Sequence, residues 1–184
     1  MNVVKTDIEG LLIVEPRVFA DERGYFFESF SSRKFAELTG LEVHFVQDNE
    51  SYSGRGVLRG LHFQKEPHAQ AKLVRVVKGR VLDVAVDIRP ESPTYGRYVA
   101  VELSGDKHRQ LFIPKGFAHG YVALEEDTVF QYKCTAYYHP ESEGGIAWND
   151  PAIGIDWPLP ANELTLSARD QQWPTLAETN EINR

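Results

Sequence analysis

Glycine and proline interrupt this chain at short intervals along its whole length. There are 14 glycines and 10 prolines among 184 residues, and they are not gathered at one boundary. Because both residues break regular structure, the segments between them suit short strands better than long helices. The spacing predicts an all-β fold, a sandwich or barrel, built as one domain over residues 1–184.

The clearest strand signal is a strict alternation over residues 82–88. One face carries Leu82, Val84, Val86 and Ile88, and the other carries Asp83, Ala85 and Asp87. Residues 78–80 (Lys-Gly-Arg) predict a hairpin turn to a preceding strand at 73–77. Further strands are predicted at residues 98–103, 109–113, 120–124 and 128–135.

Helix signals are scarce, so only a few short helices are expected. Residues 32–39 are the best candidate, with Ser31 or Ser32 as the N-cap and Gly40 just beyond the end. A short turn is predicted at Ser167. The polar tail from about residue 175 to residue 184 is expected to fray.

Composition excludes several classes of function. Lys and Arg number 20 against 27 Asp and Glu, so the net charge is −7, whereas nucleic-acid-binding proteins carry a basic excess. The single cysteine, Cys134, cannot form an intrachain disulfide and needs no oxidising compartment. No apolar run approaches the roughly 20 residues that span a bilayer, and the first residues do not resemble a signal peptide. We expect a cytoplasmic protein that binds neither nucleic acid nor membrane.

Two groups of residues have the spacing of the cupin barrel motifs. Five residues separate Gly56 from His62, as at the beginning of the first motif, and six separate Lys72 from Gly79, as at its end. Residues 114–119 (Pro-Lys-Gly-Phe-Ala-His) fit the second motif. Two motifs in the right order, on a chain of short strands, predict a cupin-type jelly-roll barrel.

The positions that bind metal in a cupin hold unsuitable residues here. A metal-binding cupin needs a second His and a Glu, but Gln64 and Lys72 occupy these positions. An ammonium cannot ligate a cation and an amide is a poor substitute for imidazole, so only His62 and His119 remain of four ligands. The sequence therefore predicts a barrel without a metal. Two other histidines lie in polar, turn-like stretches typical of the surface, His68 and His108.

Side chains could carry the chemistry of such a barrel. His62 is the natural general base, Lys72 could stabilise an oxyanion, and Tyr132 could donate a proton from the strand that also carries Cys134. Plainer interpretations stay open on the residues alone. His62 could be a hydrogen-bonded structural histidine and Tyr132 a core tyrosine. Arg59 would point away from His62, towards the surface, unless a bulge intervenes.

A specific resemblance to a known family extends from near residue 1 to about residue 174. The matching segments, in order, are Glu15–Phe19, Asp21–Gly24, Phe27–Phe30, Val46–Asn49, Val57–Gln64, Lys72–Arg75, Asp83–Arg89, Ile113–Gly120, Tyr132–Lys133, Tyr137–Tyr138, Glu143–Gly144, Ile146–Asp150 and Ser167–Asp170. On these segments the chain resembles the dTDP-4-dehydrorhamnose 3,5-epimerases.

The resemblance implies a homodimer, without metal or other cofactor, that inverts both carbons flanking a ketone. The substrate would be dTDP-4-dehydro-6-deoxy-D-glucose and the product dTDP-4-dehydro-β-L-rhamnose, an intermediate of dTDP-L-rhamnose biosynthesis. His62 would abstract the C5 and then the C3 proton, oriented by Asp170. Lys72 would face the enolate oxygen, and Tyr132 would return a proton from the opposite face.

The resemblance also implies the substrate-binding residues. Arg23 and Arg59 would contact the pyrophosphate. Glu28, Gln47 and Asn49 would contact the thymidine end. Other substrate contacts would come from His119, Tyr138, Glu143 and Arg169. Many relatives carry Lys at the position of Arg169. The strand with Arg23 and Glu28 would come from the other subunit, so the site would need the dimer.

Asp170 has a second interpretation. Ser167 and Asp170 also form a capping-box pattern, in which the carboxylate would cap a local helix. The residues alone favour the cap, the resemblance favours pairing with His62, and both roles could coexist.

Two other functions remain open. One is a related nucleotide-sugar enzyme, either an epimerase that inverts one carbon or a ketoisomerase. The other is a non-catalytic cupin that binds a nucleotide sugar. The combination of a base and an acid argues against the binding protein, because binding alone requires neither, and Tyr132 as a proton donor favours an epimerase.

Overall fold

The structure, a computed structural model, describes residues 1–182. The exposure of side chains is described for residues 1–179. The strands are β1 (Asn2–Lys5), β2 (Leu12–Glu15), β3 (Val18–Asp21), β4 (Gly24–Phe27), β5 (Gln47–Ser53), β6 (Leu58–Gln64), β7 (Lys72–Lys78), β8 (Arg80–Asp87), β9 (Tyr98–Ser104), β10 (Gln110–Ile113), β11 (Phe117–Ala123), β12 (Thr128–Cys134) and β13 (Glu143–Gly145). The helices are α1 (Ser32–Thr39) and α2 (Leu176–Ile182), with 3₁₀ turns at Pro140–Ser142 and Ala161–Glu163.

Two antiparallel sheets face each other and enclose the core. The first has the order β1-β2-β10-β7-β12-β5, and the second has the order β13-β6-β11-β8-β9. Val74, Leu111 and Phe130 of the first sheet pack against Ala85 and Tyr121 of the second. The prediction of an all-β, cupin-type jelly roll with a few short helices is confirmed.

The outer faces of both sheets are also covered. Helix α1 inserts Phe35, which is fully buried, against Leu73 and Phe112 on the first sheet. On the second sheet Val84 and Val86 pack against the chain that follows β13. The predicted apolar face of residues 82–88 therefore lies outside the barrel, and Asp83 and Ala85 point into it. This leaves polar residues of β8 facing the interior.

The predicted hairpin at residues 78–80 is wrong. Strand β7 pairs with β10 and β12, whereas β8 pairs with β11 and β9, so Gly79 carries the chain from one sheet to the other. The crossing is tight: Gly79 has φ +81°, and a Cβ there would lie 2.4 Å from Thr128 Oγ1. Only glycine tolerates both the positive φ and the close approach of Thr128. Gly79 was interpreted as part of a hairpin turn, but it lets the chain pass from the first sheet to the second.

Some predicted boundaries also shift. The strand predicted at 120–124 begins earlier, at Phe117, and the strand predicted to begin at Arg109 begins at Gln110. In the described part of the tail, residues Leu176–Ile182 form α2. Leu176 is buried and its N–H donates to Asp150 Oδ2 at 2.7 Å, which fixes the beginning of α2. Residues 183 and 184 lie outside the described chain.

Helix α1 follows its sequence signals. The Ser31 side chain accepts from the N–H of Lys34, and Gly40 adopts the left-handed conformation at the end, with φ 72°. Both caps were predicted from residue type alone.

One hairpin stands apart from both sheets. Within residues 1–182, strands β3 and β4 pair only with each other, and they expose large apolar side chains. Phe19 is 51% exposed, Tyr25 60% and Phe26 71%. Exposed aromatic rings on a projecting hairpin are typical of an interaction surface.

Candidate active site

The residues predicted to carry chemistry meet in an open pocket at one end of the barrel. Three of them, His62, Lys72 and Tyr132, line both of its adjoining halves. One half is also lined by Gln47, Asn49, Phe63, Gln64, Gln70, Cys134, Tyr138 and Glu143, and the other by Ser51, Arg59, His119, Tyr121, Phe130, Ser167, Arg169 and Asp170. His62 projects from the second sheet and Tyr132 from the first, so the two side chains approach the pocket from opposing walls.

His62 pairs with Asp170 across 108 positions of sequence. The His62 Nε2 lies 2.5 Å from Asp170 Oδ1, and the carboxylate side chain is only 5% exposed. Burial by itself raises the pKa of Asp170, but hydrogen bonds from His62, Trp173 and Ser167 outweigh it and hold the pKa below its usual value. A carboxylate that stays ionised leaves Nδ1 of His62 to accept a proton and stabilises the imidazolium that results.

Ser167 fulfils half of the capping-box prediction. Its hydroxyl accepts from the N–H of Asp170 at 3.1 Å, in a turn that does not continue into a helix. The Asp170 carboxylate pairs with His62. The capping interaction therefore holds the backbone of this turn while the acid faces the pocket.

A bulge in β6 brings Arg59 to the same pocket as His62. Arg59 lies opposite Tyr121 of β11 and His62 lies opposite His119, so β6 spans three positions where β11 spans two. The extra residue reverses the alternation between them. The Arg59 guanidinium donates to Tyr52 O at 3.1 Å and to Ser53 Oγ at 3.3 Å, which anchors it to β5.

Tyr132 faces the interior together with Phe130 and Cys134, as predicted. Burial is the main reason that its pKa rises to about 12, with Cys134 and Tyr121 adding to the effect. The phenol therefore keeps its proton at neutral pH. Burial likewise raises the pKa of the Cys134 thiol, which makes it a packing residue rather than a nucleophile.

Lys72 sits beside Tyr132 on the neighbouring strand. Its Nζ lies 5.7 Å from the centroid of the Tyr132 ring. Burial lowers the pKa of Lys72, and Cys134, Asp83 and Glu143 oppose the change. A cation aimed into a pocket of this kind stabilises negative charge that develops on a bound ligand.

Three side chains that are linked by an ion pair and a hydrogen bond form one side of the pocket. Arg169 forms an ion pair with Glu143, and Glu143 accepts from the Tyr138 hydroxyl at 2.7 Å. Burial raises the pKa of Glu143, but Arg169 and Tyr138 reverse the effect and hold it below its usual value. Tyr138 is 50% exposed, so part of its side chain is accessible to a ligand.

Gln47 and Asn49 lie at the same end of the pocket. Gln47 Nε2 donates to Asn49 Oδ1 at 2.9 Å, and Gln47 Oε1 accepts from the N–H of Tyr138 at 3.0 Å.

The Gln64 side chain forms hydrogen bonds with the backbone: it donates to His68 O at 2.6 Å and accepts from the N–H of His139 at 2.7 Å. Among the described residues, no group of three or more His, Cys, Asp or Glu is arranged to hold a metal ion.

His119 reaches the pocket from β11 with a partner that the sequence did not indicate. Its Nε2 lies 3.0 Å from each oxygen of Asp83, and the Asp83 side chain is fully buried. Burial lowers the pKa of His119 despite the opposing carboxylate. The alternation at 82–88 placed Asp83 on the polar face but could not show which residue it meets.

Arg23 and Glu28 lie away from the pocket of their own chain. Arg23 is 85% exposed at the tip of the β3–β4 hairpin and pairs with Asp21, and Glu28 pairs with Lys34 at 2.8 Å. Neither lines the pocket that contains His62.

The expectation that His108 lies on the surface is wrong. The residue is 9% exposed, and its ring packs against both Tyr25 and Phe27, at centroid distances of 4.6 and 4.7 Å. The polar residues around it in sequence gave no sign that the aromatic rings of the hairpin cover it.

Among the described helices, none combines the length and apolar character required to traverse a bilayer.

Comparisons with known proteins find close similarities over nearly the whole chain. A family model described as dTDP-4-dehydrorhamnose 3,5-epimerase matches residues 5–178. A dTDP-4-dehydrorhamnose 3,5-epimerase of Escherichia coli (strain K12) is 56% identical over 178 residues, which is 97% of this chain and 96% of that protein.

Solved structures are similar as well. A Legionella pneumophila dTDP-6-deoxy-D-glucose-3,5-epimerase in complex with dTDP-4-keto-L-rhamnose has a TM-score of 0.92 and 52% identity, covering 96% of this chain and 93% of that one. A 3'-monoepimerase of Streptomyces bikiniensis in complex with dTDP-quinovose has a TM-score of 0.91 and 34% identity, covering 100% and 91%.

Proposed function

The chain belongs to the dTDP-4-dehydrorhamnose 3,5-epimerase family, and from this premise we propose how its pocket inverts both carbons that flank the C4 ketone of dTDP-4-dehydro-6-deoxy-D-glucose. The observation that carries the proposal is the approach of His62 and Tyr132 from opposing sheets, with Lys72 beside Tyr132. A base and an acid on opposite walls are what an inversion requires.

The reaction removes a proton next to a carbonyl and returns one to the other face. His62 takes the proton, and the electron pair of the broken C–H bond moves onto the C4 oxygen as an enolate. The Tyr132 hydroxyl then protonates the same carbon from the opposite side, which restores the ketone with inverted configuration. Solvent returns a proton to Tyr132 and removes one from His62, so protons balance over the cycle.

The environment of each group suits its role. Asp170 remains ionised, which favours proton uptake by His62. Tyr132 keeps its proton because burial raises its pKa to about 12, so it is available as a donor. Lys72 offers positive charge to the enolate oxygen, where one well-placed donor contributes about 3 kcal/mol.

A single oxyanion site can serve both inversions. C3 and C5 are both bonded to C4, so each proton abstraction places charge on the same oxygen. Lys72 can therefore stay in place while the base addresses first one carbon and then the other. This geometry favours two inversions in one pocket over two separate sites.

Substrate binding is proposed along the rest of the pocket. Arg59 and Arg169 suit the pyrophosphate because a planar guanidinium matches phosphate oxygens. Gln47, Asn49 and Tyr138 suit the thymidine end, the first two by hydrogen bonds and the third by stacking. His119 and Glu143 are proposed to contact the sugar.

We propose a homodimer in which each pocket is completed by the partner subunit's Arg23 and the partner subunit's Glu28. Two observations support this assembly: the hairpin that carries Arg23 exposes Phe19 and Phe26, and neither Arg23 nor Glu28 reaches the pocket of its own chain. Residues 1–184 would then act as one catalytic domain per subunit. A cytoplasmic location is compatible with Cys134, an unpaired buried thiol that needs no oxidising compartment.

Two alternatives differ from this proposal in a measurable way. The first alternative is an epimerase that inverts one carbon only. The similarity to a 3'-monoepimerase is the reason to test it, although the identity to the 3,5-epimerases is higher. A pure nucleotide-sugar-binding cupin would need neither the buried carboxylate behind His62 nor a protonated phenol opposite it.

Solvent isotope exchange tests the reaction. The purified protein, incubated with dTDP-4-dehydro-6-deoxy-D-glucose in D₂O, is expected to place deuterium at both C3 and C5 and to form the L-rhamno product. NMR of the recovered sugar reads both positions. Deuterium at one carbon only would replace the proposal with a single-carbon epimerase, and its absence from both would overturn it.

A further inference from the structure

Trp173 lies against the His62–Asp170 pair, although the proposed chemistry does not use it. Its indole Nε1 donates to Asp170 Oδ1 at 3.2 Å, the oxygen that His62 Nε2 also contacts at 2.5 Å. The indole meets the imidazole edge-on, with centroids 6.1 Å apart and planes at 71°. One carboxylate oxygen therefore holds two rings in a fixed relation.

The neighbouring strand is shaped to seat the indole. Gly145 lies opposite His62 in the pairing of β13 with β6. A Cβ at Gly145 would lie 2.2–2.6 Å from three ring atoms of Trp173, which is closer than real Cβ contacts. Any larger residue at position 145 would push the indole away from Asp170.

The other side of the indole contacts a substrate-binding wall. The Arg169 guanidinium lies 5.5 Å from the ring centroid of Trp173, and Arg169 also pairs with Glu143. Trp173 thus contacts both the base and a member of the Arg169–Glu143 pair. A substitution of Trp173 that keeps an aromatic ring but removes the N–H would remove the hydrogen bond to Asp170 and keep a ring beside Arg169.

We propose that Trp173 is a positioning residue: its N–H fixes the direction of the Asp170 carboxylate and draws off part of its charge, and so sets both the aim and the basicity of His62. The proposal rests on the function proposed for this pocket. Without the N–H, more negative charge on Oδ1 faces the imidazolium, so His62 is expected to titrate at a higher pH.

Other charged and titratable groups also face the pair, and none of them changes in the test. They are Arg59 on β6, Lys72 on β7, His119 and Tyr121 on β11, Tyr132 and Cys134 on β12, Tyr138 after β12, Glu143 on β13 and Arg169 beside Asp170. A shift after substitution of Trp173 alone can therefore be assigned to the lost donor.

Trp173→Phe is the direct test, with two readouts. NMR titration of the unliganded protein follows the His62 imidazole, identified by its absence in His62→Ala, and kinetics give kcat and KM against pH. We expect the His62 midpoint and the acid limb of kcat/KM to rise together by about half a unit. The maximal kcat should fall roughly tenfold with KM changed less than about twofold.

The matched control is Trp157→Phe. The Trp157 indole also donates one hydrogen bond, to Trp148 O at 2.8 Å, but it lies outside the pocket. This variant should leave the titration and the pH profile unchanged. Gly145→Ala, which displaces the indole without altering it, should move the His62 midpoint in the same direction as Trp173→Phe.

One result would overturn the proposal: a folded Trp173→Phe protein whose His62 midpoint equals that of the wild type. A fall in kcat alongside that unchanged midpoint would make Trp173 a packing residue only. The NMR midpoint needs no turnover, so it is read even if the wild-type protein fails to exchange deuterium and the proposed function falls.

Discussion

Lys72 shows how one residue can change the chemistry of a barrel. It occupies the position where a metal-binding cupin has a carboxylate ligand, so a residue that would bind a cation is replaced by one that carries a positive charge itself. Burial lowers the pKa of Lys72 and removes water that would compete for the charge. The side chain can then stabilise an enolate directly.

Replacing this cation should slow the reaction without weakening binding much. Lys72→Met keeps the length of the side chain and removes the charge, so kcat is expected to fall by about 10²–10³ with KM within a few-fold of wild type. Lys78→Met is the control, since Lys78 ends the same strand but pairs with Asp127 on the surface. Steady-state kinetics that show Lys72→Met within twofold of wild type would remove Lys72 from the mechanism.

At the scale of elements, the bulge in β6 decides which side chains meet. It requires Gly60, which has φ +134° and leaves no room for a Cβ. A Cβ there would lie 2.6 Å from Gly120 Cα and 2.9 Å from His119 O, both backbone atoms of the paired strand. The two strands can therefore approach closely only at a glycine.

Gly60→Ala should consequently disturb both stability and activity. We expect a loss of about 2 kcal/mol or more in the free energy of unfolding, and a lower kcat because Arg59 and His62 shift. Gly54→Ala is the control: its Cβ would meet only the carboxylate of the exposed Glu126, which can move. Denaturant unfolding that gives equal stabilities for the two variants would contradict the role assigned to Gly60.

The elements also show how far the sequence could be interpreted. The alternation at 82–88 and both caps of α1 are local signals, and the structure follows them. The hairpin expected at Gly79 was wrong because a glycine permits a turn without saying which strands it joins. Asp83 and Trp173 were missed since their partners, His119 and Asp170, are set by strand order and by a turn that has no pattern of its own.

For the whole molecule, the net charge of −7 and an anionic substrate are compatible. Arg59, Lys72 and Arg169 line one pocket, so the local potential there differs from that of the acidic surface. The partner subunit's Arg23 would add a fourth cation in the proposed dimer. An acidic net charge therefore does not exclude a small nucleotide as the ligand.

Mixing two inactive variants tests whether sites are shared. Arg23→Ala and His62→Ala should each have little activity alone, because each homodimer lacks one group in both sites. After the subunits are exchanged, one site in each mixed dimer is complete, so activity should return to roughly a quarter of wild type.

The control for this experiment is a mixture of His62→Ala with Asp170→Asn. Both changes lie in the body of the subunit, so no mixed dimer contains a complete site and activity should not return. If the mixture with Arg23→Ala also stays inactive although sedimentation shows mixed dimers, Arg23 does not act across the interface.

The central claim is that His62 and Tyr132 act on opposite faces of the same carbons, and deuterium exchange by the two variants tests it most directly. In D₂O, His62→Ala should leave C3 and C5 without deuterium and with their configuration unchanged. Tyr132→Phe should return substrate that carries deuterium but keeps its configuration, because His62 can still exchange the proton while no acid stands opposite. Equal exchange in the two variants, or inverted product from Tyr132→Phe at the wild-type rate, would contradict the account.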